Sequence, residues 1–178
     1  MTGPWQAVAV YPMSRQLFQR RRWVDPERLA EGLAAFVDQL AWIDAHTGLS
    51  MAGWQRTDPG GETGAILATT IYTDYDWFLR EVARLQTLGD YAPVNDLAAT
   101  LTVGTDVFER WDAPAGLPTD WALPTTFFWQ VTGPSAQAGD EPVWTTVEGV
   151  DGLCAWFRDE AQVRIDESLR REAWSRIH

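Results

Sequence analysis

The chain has 178 residues, 46% of them hydrophobic, with 11 tryptophans and a formal net charge of −11. This length suffices for one domain with a substantial core, so we expect a single domain over residues 1–178. The sequence contains no lysine, which excludes a P-loop, a Schiff-base lysine and the catalytic lysine of kinases and β-lactamases. No apolar run is long enough for a membrane helix, and the N-terminus lacks a signal-peptide pattern. We therefore expect a cytoplasmic protein without a membrane partner.

Residues that carry chemistry are few. The single cysteine, Cys154, excludes an intramolecular disulfide and is interpreted as a small buried residue on a helix. The two histidines are His46, near a predicted helix end, and His178, the last residue. The sequence also lacks the Gly-x-Ser-x-Gly motif of hydrolases. These observations predict no catalytic residue, no metal site and no cofactor.

The first half of the chain predicts alternating strands and helices. A short strand is expected at residues 6–11, and Asp25-Pro26-Glu27 is typical of a helix start. The helix should run to about residue 45, because apolar residues recur three and four positions apart along it. Those residues are Leu29, Leu33, Phe36, Val37, Leu40 and Ile43. Two strands at residues 50–57 and 65–73 should form a hairpin, and Asp74 should cap the second helix.

The second half predicts more strands and a long final helix. Residues 97–111, 125–131 and 143–147 have the composition or alternation of strands, and a C-terminal helix is expected from near Asp151 to His178. The resulting order is β-α-β-β-α-β-β-β-α. It favours an α+β fold, with a largely antiparallel sheet, helices packed against it and a ferredoxin-like order in the first six elements. No internal repeat is visible in the sequence.

The negative charge is concentrated in the middle of the chain. Residues 57–148 contain 14 acidic residues and three arginines, so this segment alone accounts for the net −11. Tryptophans occur in the same segment, and aromatic residues among carboxylates can form a docking face for a basic protein. The predicted partner-binding residues are Asp76, Trp77, Asp112, Asp120 and Trp121. The alternative is an acidic surface that only maintains solubility.

An arginine-rich run, "RQLFQRRRW", contrasts with this acidic segment. It contains Arg15, Arg20, Arg21 and Arg22. A net charge of −11 would repel the phosphates of nucleic acid over any larger footprint, so no nucleic-acid partner is expected. We interpret the run as arginines bound to carboxylates of the chain itself or of a partner.

The size, the acidic middle segment and the stretch "DYDWF" resemble the immunity proteins of bacterial polymorphic toxin systems. This resemblance implies an inhibitor that binds one cognate toxin, a basic protein, and blocks its active site. Two alternatives stay open. The first is a metal-dependent enzyme that uses Asp74 and Asp76 as an Asp-x-Asp pair. The second is an adaptor or scaffold that binds another basic protein.

Overall fold

A computed structural model describes residues 15–134, 141–149, 152–163 and 168–178. The strands within these ranges are Gln16–Val24 (β1), Ala52–Arg56 (β2), Ala65–Tyr72 (β3), Thr102–Asp112 (β4), Phe127–Gly133 (β5), Trp144–Glu148 (β6), Leu153–Phe157 (β7) and Arg170–Arg176 (β8). The helices are Leu29–His46 (α1), Tyr75–Thr87 (α2) and Tyr91–Thr100 (α3), and short 3₁₀ turns lie at Pro26–Arg28 and Glu160–Gln162. The fold is therefore α+β. No helix among the described residues is long and apolar enough to cross a membrane.

The strands form a closed barrel in the order β1-β3-β2-β8-β5-β7-β6-β4. Every neighbouring pair is antiparallel, including the two seams at which β2 meets β8 and β4 meets β6. Read as two groups of four, β4-β1-β3-β2 and β8-β5-β7-β6 have the same internal order. The chain thus builds the barrel from two half-barrels of like topology, a repeat that the sequence did not reveal.

The registers of the two half-barrels agree residue by residue. Gln19 on β1 lies opposite Glu109 on β4, and Gln130 on β5 lies opposite Glu172 on β8. Gln19 and Gln130 also bind each other, with each Nε2 donating to the partner's Oε1 at 3.1 and 3.2 Å. This reciprocal amide pair marks the pseudo-twofold axis and gives the alignment of one half on the other.

Tryptophan fills the barrel interior. Trp54, Trp111, Trp144, Trp156 and Trp174 are each at most 2% exposed. Alignment of the halves makes Trp111 equivalent to Trp174, because they lie opposite Leu17 and Phe128 two positions from the central glutamines. Their hydrogen bonds differ, since Trp111 Nε1 donates to Gln19 Oε1 at 3.2 Å whereas Trp174 Nε1 has no partner among the described residues. The repeat is therefore one of packing and not of polar contacts.

Buried ion pairs occupy one end of the interior. Arg21 binds the Glu172 carboxylate through both Nη1 and Nη2, and Arg56 Nη1 approaches the same carboxylate at 3.3 Å. Arg170 Nη2 donates to Glu109 Oε1 at 3.1 Å. These contacts link the first half-barrel to the second. They confirm the interpretation of Arg21 as an arginine bound to a carboxylate of its own chain.

Helices cover the outer face of the first half-barrel. Phe36, Leu40 and Ile43 of α1 pack with Phe78 and Leu85 of α2 against the outward side chains of β1 and β3. The side chain of Asp25 accepts a hydrogen bond from the Glu27 amide at the start of the 3₁₀ turn, and the Asp74 side chain accepts one from the Trp77 amide at 2.9 Å. The predicted first helix, the β2–β3 hairpin and both caps are confirmed.

Three predictions about secondary structure were wrong. Residues 16–24 form β1, although the sequence suggested only a charged run there. Residues 91–100 form α3, so the strand expected from residue 97 begins at Thr102. The expected C-terminal helix is instead β7, a 3₁₀ turn and β8. Cys154 accordingly lies on a strand inside the barrel, where it is fully buried. The strand expected at residues 6–11 lies outside the described residues.

Candidate functional site

A cleft lies between the first half-barrel and its helices. It has two adjoining chambers that share the walls formed by Phe18, Phe78, Val82 and Phe108. Each chamber has a volume of about 240 Å³. We name them after the one cation in each, so that the Arg20 chamber lies beneath α1, α2 and α3, and the Arg110 chamber opens beside α2. An apolar cleft with a few converging polar groups is the usual form of a small-molecule site.

Arg20 projects from the outer face of β1 into the first chamber. Burial, and to a smaller degree the charge of the neighbouring Arg22, lowers the pKa of Arg20 to about 10. No carboxylate among the described residues lies within ion-pair distance of it, whereas Arg22 Nε binds both oxygens of Asp106 at 2.9 Å. Arg20 is therefore a cation at neutral pH whose charge is not paired with a carboxylate of the described residues.

Gln39 of α1 holds Arg20 in place. The Gln39 side chain is fully buried, and its Oε1 accepts a hydrogen bond from Arg20 Nη2 at 3.0 Å. Its Nε2 donates to the Tyr91 hydroxyl at 3.3 Å and to Asn95 Oδ1 at 3.0 Å. This network fixes which end of the amide faces Arg20, because an inverted amide would place N–H groups against the guanidinium. It also joins β1, α1 and α3 around the chamber.

Arg110 of β4 lines the second chamber. Its guanidinium lies 3.9 Å from the ring centroid of Tyr75, in a cation–π contact. Arg110 Nε and Nη1 are buried and have no hydrogen-bond partner among the described residues, and the same holds for the Tyr72 hydroxyl. Burial raises the pKa of Tyr72 to about 12, so this phenol stays a neutral hydrogen-bond donor. Unsatisfied buried donors are costly and therefore call for an explanation.

The equivalent positions of the second half-barrel show which residues the barrel fold accepts there. In the alignment given by Gln19 and Gln130, Arg20 corresponds to Val131 and Arg110 to Ala173. Thr70, which also lines the Arg20 chamber, corresponds to Phe157. Val131 and Phe157 belong to a packed apolar cluster with Ala155 and Val163. The barrel therefore does not require polar groups at these positions.

Two of the predicted docking residues, Asp76 and Trp77, lie on α2, and among the residues that the structure describes only Trp77 has a packing contact there. Trp77 is partly buried and packs on Gly48, where an added Cβ atom would lie 2.9 Å from the indole ring. Asp76 is exposed in the first turn of α2. Asp74 is the helix cap, and no group of metal-ligating side chains includes it or Asp76 among the described residues.

The other three predicted docking residues lie at the end of β4 and in the segment that follows it. Asp112 accepts a hydrogen bond from Gln16 Nε2, and Asp120 is exposed. Trp121 packs on the barrel interior with its ring centroid 5.0 Å from that of Trp144, and its carbonyl accepts a hydrogen bond from Arg15 Nη1 at 2.8 Å. Arg15 also lines an open groove with Trp77, so both groups of predicted residues lie at one end of the barrel. Binding of a basic partner there stays a prediction.

Sequence reasoning missed the residues of the cleft. Arg20 was assigned to an ion-paired run, although Arg21 and Arg22 carry the pairs while Arg20 faces the chamber. Arg110 stands between Glu109 and Trp111 in a stretch with strand alternation, and a lone cation in such a pattern was the signal available. Tyr91, Gln39 and Tyr72 carried none, since only the packing of α1 and α3 on the sheet brings them together.

Comparison with protein-family models gives no match, and comparison with curated proteins gives none either. Among solved structures, the chain is similar to a "putative monooxygenase" from Fusobacterium nucleatum, with 8% identity, coverage of 93% of both chains and a TM-score of 0.60. A protein of the same name from Lactobacillus acidophilus is 7% identical over 92% of this chain and 94% of its own, with a TM-score of 0.55. An anthrone oxidase-like protein is 9% identical over 94% and 92%, with a TM-score of 0.52. At these identities the likeness shows the fold.

The expectation of an immunity-type inhibitor was wrong. The structures that share this fold over nearly the whole chain are named as monooxygenases and as an anthrone oxidase-like protein, and none is named as an immunity protein. The physical reason lies in the tryptophans. Trp111 and Trp144, which lie in the acidic middle segment, are 0% exposed and fill the barrel. The resemblance rested on composition that the barrel core explains.

Proposed function

We propose that the protein is an oxygenase that uses O₂ to oxidise a flat aromatic substrate bound in the cleft of the first half-barrel. The observation that carries the proposal is Arg20, a cation without an ion-pair partner in an apolar chamber, at a position where the second half-barrel has Val131. The names of the structurally similar proteins support the class of reaction.

The substrate class follows from the walls and the cation. Phe18 and Phe78, with ring centroids 5.2 Å apart, and Phe108 line both chambers and suit an aromatic ligand, which packs on aromatic rings. Arg20 would hold an oxygen that becomes negatively charged, as in the enolate of a ring ketone or a phenolate. A preorganised donor in a low-dielectric site stabilises such an oxyanion more than water does.

The reaction needs no reductant beyond the substrate. A CH₂ group conjugated with the carbonyl through the rings, as in anthrone, gives its proton to water at the cleft mouth, and the enolate oxygen is stabilised by Arg20. The enolate carbon bonds to O₂, and the peroxide anion takes a proton from water to form a hydroperoxide. Loss of the remaining C–H hydrogen and cleavage of the O–O bond release water and leave a ketone. One atom of O₂ is thereby in the product and the other in water.

The experiment measures oxygen consumption and quinone formation with anthrone as substrate, corrected for oxidation without protein. We expect turnover by the wild-type protein and a loss of about 100-fold in kcat/KM for Arg20→Gln, the effect of removing an oxyanion donor. Arg28→Gln, which breaks an exposed pair with Glu31, is the matched control and should leave the rate unchanged. Turnover equal in Arg20→Gln and wild type would overturn the assignment of Arg20.

The pH profile gives an independent reading of the same residue. Because the pKa of Arg20 is about 10, the cation is present below that pH and is lost above it, so kcat/KM should fall as the pH rises through about 10. In Arg20→Lys the falling limb should move to lower pH, since lysine has an ordinary pKa of about 10.4 that burial lowers further. If kcat/KM falls at the same pH in Arg20→Lys as in the wild type, that fall belongs to the titration of another group.

The same proposal covers the finer description of the fold. We propose that each half-barrel derives from a ferredoxin-like unit, because the first half has the order β-α-β-β-α-α-β and the strand order β4-β1-β3-β2. The whole chain would then act as one domain, with the second half closing the barrel and the first half carrying the site.

A further inference from the structure

Arg110 has two buried donors in the cleft that remain unused, and its guanidinium also interacts with the hydroxyl of Tyr72, which lies outside the chamber lining. The Tyr75 ring occupies the face of the Arg110 guanidinium at 3.9 Å, but the N–H groups lie in the guanidinium plane and point past the ring. Nε and Nη1 have no hydrogen-bond partner among the described residues. The cation–π contact therefore explains where Arg110 lies and leaves its donors unsatisfied.

The protein does not need this cation for its fold. The equivalent residue of the second half-barrel is Ala173, which is 2% exposed and well packed. Glu148 is the register partner of Arg110 across the β4–β6 seam and lines the same chamber, yet neither Nε nor Nη1 of Arg110 binds it. Two buried N–H groups of this partly exposed cation lack an acceptor, although Glu109 also lines the chamber, and a ligand anion is the partner that would satisfy them.

We propose that the Arg110 chamber binds a carboxylate carried by the aromatic substrate, while the rings lie along Phe18 and Phe108 towards Arg20. Arginine suits this group because its planar donors match the geometry of a carboxylate. The Tyr72 hydroxyl interacts with the Arg110 guanidinium and helps to position it for the ligand. This inference rests on the proposed function for the reaction at Arg20, and it makes the substrate an aromatic acid whose reacting carbon and carboxylate lie at opposite ends.

The test compares two probes that differ only in charge. Binding of 9-anthracenecarboxylate and of 9-anthracenemethanol to the full chain is measured by equilibrium dialysis, without any requirement for turnover. We expect the wild-type protein to bind the carboxylate at least about tenfold more tightly, the value of a hydrogen bond to a charged group. Arg110→Gln should reduce that preference to within about twofold, and Tyr72→Phe should reduce it about threefold, because it removes one neutral group that positions Arg110 and leaves the charge.

Controls keep the inference falsifiable. Arg84→Gln, at an exposed arginine paired with Glu81, should keep the full preference, and Arg110→Lys should keep part of it if the Gln variant is poorly folded. An unchanged preference in Arg110→Gln, or no binding of either probe, overturns the inference. Loss of the preference in a protein that does not oxidise anthrone supports this site and contradicts the proposed function. Oxidation of anthrone that depends on Arg20, without any carboxylate preference, contradicts this site alone.

Discussion

Arg20, Thr70 and Arg110 on the outer face of the first half-barrel occupy the positions that Val131, Phe157 and Ala173 occupy on the second. The inner faces differ less, since Gln19 and Gln130 form a reciprocal pair and Trp111 and Trp174 occupy equivalent positions around it. Packing of the barrel core thus restricts the inner-face residues of both halves. The outer-face residues are restricted only by the segments that cover them.

The segments packed on the outer face of the sheet determine whether a cleft forms there. Helices α1, α2 and α3 span the first half and leave a cleft against the sheet. On the second half, the described residues between β7 and β8 form the 3₁₀ turn Glu160–Gln162, with Val163 packed in one cluster with Val131 and Phe157. Apolar side chains therefore fill the space there that the helices leave open on the first half.

Exchange of residues between the halves gives the largest expected effect. Val131→Arg places a cation in the packed apolar cluster of the second half. We expect a loss of about 3–5 kcal/mol in the free energy of unfolding, the cost of an uncompensated buried charge. Urea denaturation followed by circular dichroism measures it.

The reverse exchange is the control. Arg20→Val in the first half should leave the free energy of unfolding unchanged or raise it, because residues of functional sites often cost stability. If Val131→Arg unfolds at the same urea concentration as the wild-type protein, the outer face of the second half is not the closed core described above, and the contrast between the halves fails.

The central amide pair gives a smaller effect. Gln130→Leu leaves Gln19 Nε2 without its acceptor inside the barrel, which should cost about 1–3 kcal/mol. Gln19→Leu should cost a similar amount, because it also removes the acceptor of Trp111 Nε1. The double variant should cost less than the two together, with a coupling energy of about 0.5–3 kcal/mol from thermal unfolding. Strict additivity would show that the halves are not joined through this pair.

Local signals identified α1, the β2–β3 hairpin and the strands at residues 125–131 and 143–147, but missed β1, α3 and the two C-terminal strands. The Asp25-Pro26 start and the apolar stripe of α1 act within one element, so the sequence alone identifies them. The expected C-terminal helix failed because Cys154, Phe157 and Ala173 happen to recur at helical spacing. They are in fact buried on strands whose partners are distant in sequence, such as Trp129 opposite Phe157 and Ala173.

The cleft could not be predicted because it depends on contacts between distant segments. Arg21 binds Glu172, 151 positions away, whereas Arg20 next to it is not paired with any carboxylate of the described residues. The charges of the arginine run do not distinguish these two residues. Their difference arises from strand alternation, which sends Arg21 into the barrel and Arg20 towards the helices.

The smallest expected effect concerns α2, a helix that only the first half has among the described residues. Asp74→Ala removes the side chain that accepts a hydrogen bond from the Trp77 amide at 2.9 Å. We expect it to lower the free energy of unfolding by about 0.5–2 kcal/mol. Asp76→Ala is the matched control, because this neighbouring carboxylate is exposed and a surface substitution changes stability by no more than about 0.5 kcal/mol. Since α2 supplies Phe78 and Val82 to both chambers, fraying of its first turn should also weaken binding of 9-anthracenemethanol, which contacts the walls without using a charge. Equal effects of the two substitutions on stability and binding would show that Asp74 is not a cap and that the cleft does not depend on the order of this helix.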